Sequence, residues 1–251
     1  MNLLERALVE KAGREYGWEN VIESADDRIV LASARHRGQA TIAVDAGVGG
    51  WRMEFPAGRL ARELDRTLPG LVRGEGYFAA PDMDTLAALL HRAAELSLSL
   101  PDQAAHTFRE RAAKELAVIA SRGTEVEHLV RQRVGQQVFR EALLDYWGGA
   151  CAVTGLELPD VLRASHAKPW ADCETDEERL DVFNGLLLVA DLDALFDRGL
   201  ITFAENGALR VSGKLDATQR EKLHLDAALR LRWLAPEHEP YLRWHRESVF
   251  A

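Results

Sequence analysis

Three short stretches hold the residues whose types and spacing suit chemistry. They are Ala164-Ser165-His166-Ala167-Lys168-Pro169-Trp170, Asn184-Gly185-Leu186-Leu187-Leu188 and Leu192-Asp193-Ala194-Leu195-Phe196-Asp197. They set one histidine, one asparagine and one carboxylate in a fixed order on what reads as strand, strand and short helix. An imidazole, with an unperturbed pKa of about 6.5, takes up a proton near neutral pH. A carboxylate is a hard oxygen ligand suited to Mg²⁺ or Mn²⁺. That combination suits metal-assisted activation of a water for hydrolysis.

The elements that must position these residues follow from local pattern. Leu162 to Lys168 reads as a strand ending at Pro169-Trp170. Leu186 to Val189 reads as a short apolar strand, and Ala190 to Asp197 as a helix stopped by Gly199. Leu200 to Phe203 and Ala208 to Val211 form a hairpin across Ala204-Glu205-Asn206-Gly207, where Asn-Gly is a strong turn signal. Cys151 to Gly155 reads as a strand entering a turn, and Leu229 to Phe250 as helical. Upstream, a charged helix is expected from about Gln103 to Ala120, with Ile119 on its apolar face and a break at Ser121-Arg122-Gly123-Thr124. A second helix follows from Glu125 to Trp147. The polar face of that second helix, with Arg131, Arg133, Gln136, Gln137 and Arg140, suits phosphate contacts and equally suits an ordinary solvated face.

The first hundred residues read as a separate α+β domain. A helix over residues 2–16 precedes a meander of three or four strands (Val21-Ile22, Arg28 to Ala32, Ala40 to Val44, Trp51 to Phe55). A helix from Pro56 to about Leu68, a short strand at Tyr77-Phe78 and a helix from Pro81 to about Leu98 complete it. Trp18, Trp51, Phe55, Tyr77 and Phe78 are either core aromatics or a pocket for an extruded base. The expected organisation is a specificity or regulatory domain over 1–100, a helical linker over 101–124 and the site-bearing domain over 125–251.

Composition sets outer bounds. The chain has 251 residues, 47% of them hydrophobic and 28% charged, which is ordinary for a globular protein of one or two domains. No apolar run approaches the roughly 20 residues of a membrane span. The N-terminus lacks the features of a signal peptide, and two cysteines are too few for a disulfide scaffold. These readings point to the cytoplasm. The net charge of −9 argues against a nucleic-acid partner, but its distribution weakens the objection. Residues 172–197 hold nine acids against Arg179, and so carry −8 of the −9.

Taken together, His166, Asn184 and Asp193 resemble the signature of the HNH endonucleases, the ββα-metal nuclease fold. The wider series strengthens the likeness: Trp147 through Cys151 to Gly155, Ala164 to Trp170, Asn184 to Leu188, Leu192 to Phe203, and Tyr241 to Arg246. It is similar to the HNH subgroup of bacterial restriction-type proteins and covers residues 125–250. The resemblance implies an α+β chain whose N-terminal domain is followed by an HNH domain with helical flanks. It implies a divalent-metal-dependent endonuclease with DNA as partner, Mg²⁺ or Mn²⁺ as cofactor and no structural zinc. It makes His166 the general base, Asn184 the residue that holds the loop bearing His166, and Asp193 the metal ligand. Ser165 and Asp197 are further ligand candidates, Asp191 and His245 lesser ones. Lys168, Arg179 and Arg198 would contact phosphates, with Arg133 and Arg140. A homodimer follows from symmetry if both strands are cut.

Two departures qualify the likeness. Ser165 stands where many family members have an aspartate, and Asp193 where the signature's third letter is histidine. These leave two alternatives open. One is a DNA-binding module that has lost catalysis; the other is a toxin-like nuclease acting on any DNA. Restriction of DNA carrying modified cytosine is suggested by analogy alone.

Overall fold

The computed structural model describes residues 1–47, 49–56, 58–71, 73–74, 76–118 and 123–251, without the side chain of residue 73. The expected end of the first long helix at Ile119-Ala120 and the break at Ser121-Arg122 lie outside the described residues. The chain divides into two compact units, Met1–Leu98 and Ser99–Ala251.

The first unit starts with α1 (Leu3–Glu15), opened by a capping box in which Asn2 and Glu5 satisfy each other's backbone N–H groups. Then come β1 (Asn20–Ser24), β2 (Arg28–Ala32), β3 (Gln39–Asp45), β4 (Gly50–Glu54), α2 (Arg59–Thr67), β5 (Arg73–Gly74), β6 (Tyr77–Ala80) and α3 (Met83–Ser99), whose last residue begins the second unit. The strands form one antiparallel sheet in the order β1-β2-β3-β4-β6-β5. It is a six-stranded sheet, which joins the expected meander of three or four strands to the expected strand at Tyr77-Phe78 and adds β5. β5 and β6 complete it, and the helix expected from Pro56 starts at Arg59. Ile29, Leu31, Ile42 and Met53 are fully buried, as are Leu86, Leu89 and Leu90 of α3. Trp18 is buried, donates Nε1–H to the Leu90 carbonyl at 2.8 Å, and packs against His36 and Phe55. Phe55 in turn meets Phe78 edge-on. Trp18 is a core aromatic, the first of the two readings; Phe55 and Phe78 are largely buried and, with Tyr77, line a cavity of about 430 Å³.

In the second unit α4 (Pro101–Val118) and α5 (Thr124–Tyr146) pack together, joined by ion pairs from Arg111 to Glu141 at 2.6 Å and from Arg133 to Glu115. Residues 101–118 of the stretch expected as a linker pack along α5 within this unit. The site hairpin follows: β7 (Leu162–His166), a long loop holding α6 (Asp176–Arg179), then β8 (Gly185–Val189). β7 and β8 pair antiparallel, with Ser165 opposite Leu186 and His166 opposite Gly185. α7 (Ala190–Asp197) begins directly after β8 and packs back on β7. β9 (Ile201–Phe203) and β10 (Leu209–Val211) form the expected hairpin. α8 (Ala217–Lys222) and α9 (Glu239–Ser248) close the unit.

Two sequence expectations are corrected here. Cys151 to Gly155 is a turn, not a strand: Gly149 and Gly155 take positive φ, and the Ala152 N–H donates to Leu187 of β8. The C-terminal helix covers only Glu239–Ser248. Upstream of it, Arg232 bonds Ala152 through its backbone and Pro236 opens a single 3₁₀ turn. The apolar residues of 229–235 follow this extended packing, so their spacing did not report a helix.

Candidate metal-assisted hydrolytic site

The site is built around a cavity of about 340 Å³ lined by Ser165, His166, Pro169, Trp170, Asp197 and His245. β7 ends on His166, whose ring is stacked on Phe139 of α5, with centroids 3.7 Å apart and planes 14° off parallel. Trp170 meets the same ring edge-on at 6.0 Å. Two glycines permit this. A Cβ at Gly185 would lie 2.5 Å from Phe139 Cζ, and one at Gly135 would lie 2.3 Å from Trp170 Cη2. The glycine after Asn184 and the glycine inside α5 let the two aromatic walls close on the imidazole.

His166 Nε2 lies 2.9 Å from the Arg179 carbonyl oxygen. A carbonyl only accepts, so Nε2 carries the proton and the neutral ring keeps Nδ1 as an acceptor. Burial pushes the His166 pKa down to about 4, against the upward pull of that carbonyl. The imidazole is therefore neutral at pH 7, as a proton acceptor must be.

Asn184 is fully buried. Its Oδ1 accepts from the Lys168 N–H at 2.8 Å, and its Nδ2 donates to the carbonyls of Lys168 at 3.1 Å and Glu178 at 3.2 Å. The Asn184 carbonyl accepts from Ala167 N–H at 2.9 Å. One side chain thus ties both ends of the loop between β7 and β8. Grouped with His166 as catalytic in the sequence reading, Asn184 is a positioning residue: with no exposed surface it cannot touch a substrate.

Asp193 and Asp197 stand one turn apart on α7. The Asp197 carboxyl is held above the ordinary carboxylate range by burial and then by the charge of Asp193, and it accepts from Ser165 Oγ at 3.3 Å. Among the described residues no group of three or more His, Cys, Asp or Glu side chains is arranged to hold a metal. Two mutually repelling carboxylates and a hydroxyl still fit a hard dication of the Mg²⁺ kind, which commonly uses one or two carboxylates and keeps waters for the rest. Ser165, Asp193 and Asp197 are the residues that would hold it.

His245 does not join that set. Its Nδ1 lies 2.9 Å from Thr202 Oγ1, its Nε2 lies 3.0 Å from the Phe196 carbonyl, and its ring stacks on Phe196 at 3.8 Å. Both nitrogens are used, and burial lowers its pKa to about 4. It fastens α9 to the C-terminal turn of α7. This role was not legible in sequence, because nothing local marks the Phe196 carbonyl as its partner.

Several expected phosphate contacts are otherwise engaged. Lys168 Nζ is paired with Glu178 at 2.6 Å. Arg179 is spread over the Trp170 and Cys173 carbonyls and Asp176. Arg140 donates to the carbonyls of Leu162 and Pro159, and Arg133 pairs with Glu115. Of the proposed set, Arg198 is exposed and its side chain forms no hydrogen bond or ion pair with a described residue, though its charge acts on neighbouring Asp197. Three of the nine acids of the run are used in the same stapling: Asp176 holds Arg131 and Arg179, Glu177 holds Arg109, and Glu178 holds Lys168. Buried backbone carbonyls and fixed carboxylates recruited these cations, since an unmet carbonyl inside the fold costs more than a surface ion pair returns.

Among the described residues no helix is long and apolar enough to cross a membrane. No curated protein matches the chain. Residues 151–204, which span the turn at Cys151, the β7–β8 hairpin, α7 and β9, match the family model of the HNH endonucleases.

Proposed function

We propose that the chain is a divalent-metal-dependent endonuclease of the restriction type, cleaving DNA in the cytoplasm, with the first unit selecting the target. The observation that carries this reading is the joint placement of a neutral, oriented His166 and the Ser165–Asp197 pair in one cavity. All of that cavity's lining except His245 and Val249 lies in the segment matching the HNH family. Bound Mg²⁺ or Mn²⁺ would supply charge neutralisation at the scissile phosphate. His166 Nδ1 accepts the proton of the attacking water, while its Nε2–H stays on the Arg179 carbonyl and keeps the ring aimed. Asn184 holds the loop that provides that carbonyl. Phe139 and Trp170 shield the ring from water, which keeps it unprotonated. Arg198 contacts the DNA backbone. Cutting both strands of a duplex takes two sites, so the working form is a homodimer.

Calorimetric titration of Mn²⁺ tests the metal assignment. The full chain should show site-specific binding that Asp193→Ala abolishes. Unchanged binding in that variant would remove Asp193 from the site.

A further inference from the structure

A second cavity of the same unit, of about 410 Å³, shares Trp170 with the His166 cavity. Its walls come from α4 (Phe108), α5 (Arg131, Gln132) and the loop after β7 (Trp170, Asp176, Arg179). Two guanidinium–aromatic pairs frame it. Arg131 lies over Phe108 at 5.3 Å and Arg179 over Trp170 at 5.7 Å. One carboxylate bridges them, with Asp176 at 2.7 Å from Arg131 and 3.2 Å from Arg179. Two cations on one anion leave a surplus positive charge at the cavity. Gln132, half-buried on the wall, hydrogen-bonds no described residue, so its amide is free to donate and accept.

Gly135 adds an independent sign that this shape is maintained. A glycine inside a helix costs about 1 kcal/mol relative to alanine. Here its missing Cβ is what admits the Trp170 ring onto α5, one turn along from Arg131 and Gln132. Flat aromatic and guanidinium surfaces, a surplus cation and an uncommitted amide form a chemical set suited to one ligand class: a planar heterocycle attached to a phosphate.

We infer that this cavity is a nucleotide subsite. It receives one unstacked base and its phosphate from the strand whose neighbouring phosphate enters the His166 cavity, which Trp170 also lines. The inference rests on the nuclease reading for its substrate, but its geometry does not depend on catalysis. The base lies against Trp170, Gln132 reads its edge, and the half-exposed Arg131, seated over the buried Phe108 ring, meets the phosphate. The enzyme would therefore favour DNA that is locally unpaired next to the cut.

The test uses the full-length protein in EDTA and compares fluorescence anisotropy for a single-stranded oligothymidylate and an abasic strand of equal length. Wild type should prefer the strand with bases by about fivefold or more, the lower end for stacking one base. Gln132→Ala and Arg131→Gln should bring that preference toward unity. Arg131→Gln also breaks a bridge to Asp176, so its melting curve is checked; Gln132→Ala breaks no hydrogen bond of the fold. Equal binding of the two strands by wild type, or an undiminished preference in Gln132→Ala, overturns the subsite. Hydrolysis of bis(p-nitrophenyl) phosphate with Mn²⁺ is followed in parallel and should stay within about twofold of wild type in Gln132→Ala. If wild type fails to hydrolyse this small diester the nuclease reading falls, while the binding preference still decides the subsite.

Discussion

Acidification should weaken the second unit by an amount set by two buried imidazoles. His166 and His245 have native pKa values pushed down to about 4 by burial, against about 6.5 in an unfolded chain. Between those values the unfolded state holds protons that the native state refuses. The stabilisation is therefore complete above about pH 6.5 and is lost as the pH falls toward 4. At 1.36 kcal/mol per pKa unit, each histidine costs about 2 kcal/mol between pH 7 and pH 5. Denaturant titrations of wild type and His245→Gln at both pH values isolate the His245 share, because carboxylates and His166 titrate in both proteins. The variant should lose about 2 kcal/mol less on acidification than wild type. An equal loss in the two proteins would refute the claim that His245 is buried neutral with both nitrogens engaged.

Other expectations follow from single contacts. Asn184→Ala leaves the Lys168 N–H and two carbonyls unmet in the interior; at about 1–3 kcal/mol per group, the unit should lose several kcal/mol in urea melts, and any loss below about 1 kcal/mol contradicts the clamp. Gly185→Ala places a Cβ 2.5 Å from Phe139 Cζ; overpacking of this kind costs about 1–3 kcal/mol, and the loss should be smaller when Phe139→Leu is added. Arg198→Ala should weaken DNA binding and flatten its salt dependence by about one phosphate contact, read by anisotropy at several salt concentrations. Lys168→Ala should instead lower thermal stability through its pair with Glu178.

The backbone geometry of the candidate site was largely legible because its signals are local. The apolar run Leu186–Val189, the short helix ended by Gly199 and the Asn206-Gly207 turn each declare their own structure. The placement of His166 opposite Gly185 then follows from hairpin register. Cation roles were not legible. Lys168, Arg140 and Arg179 look alike in sequence, and only packing decides that each is taken by a carboxylate or a carbonyl. β5 escaped notice because two residues, Arg73–Gly74, make no alternation to read. The overextended C-terminal helix failed for the opposite reason: apolar residues at 229–235 are buried by extended packing rather than by a helical face. Of the second cavity, the sequence named Arg131 and Trp170 separately, with nothing local to bring them together.

The most direct measurement of the central claim is cleavage of supercoiled plasmid by wild type and His166→Ala in Mg²⁺ or Mn²⁺, with both proteins shown to be folded. A positioned general base contributes about 10²–10⁴-fold, so wild type should cut and the variant should be slower by at least about a hundredfold. A folded His166→Ala protein that cuts as fast as wild type would contradict the account.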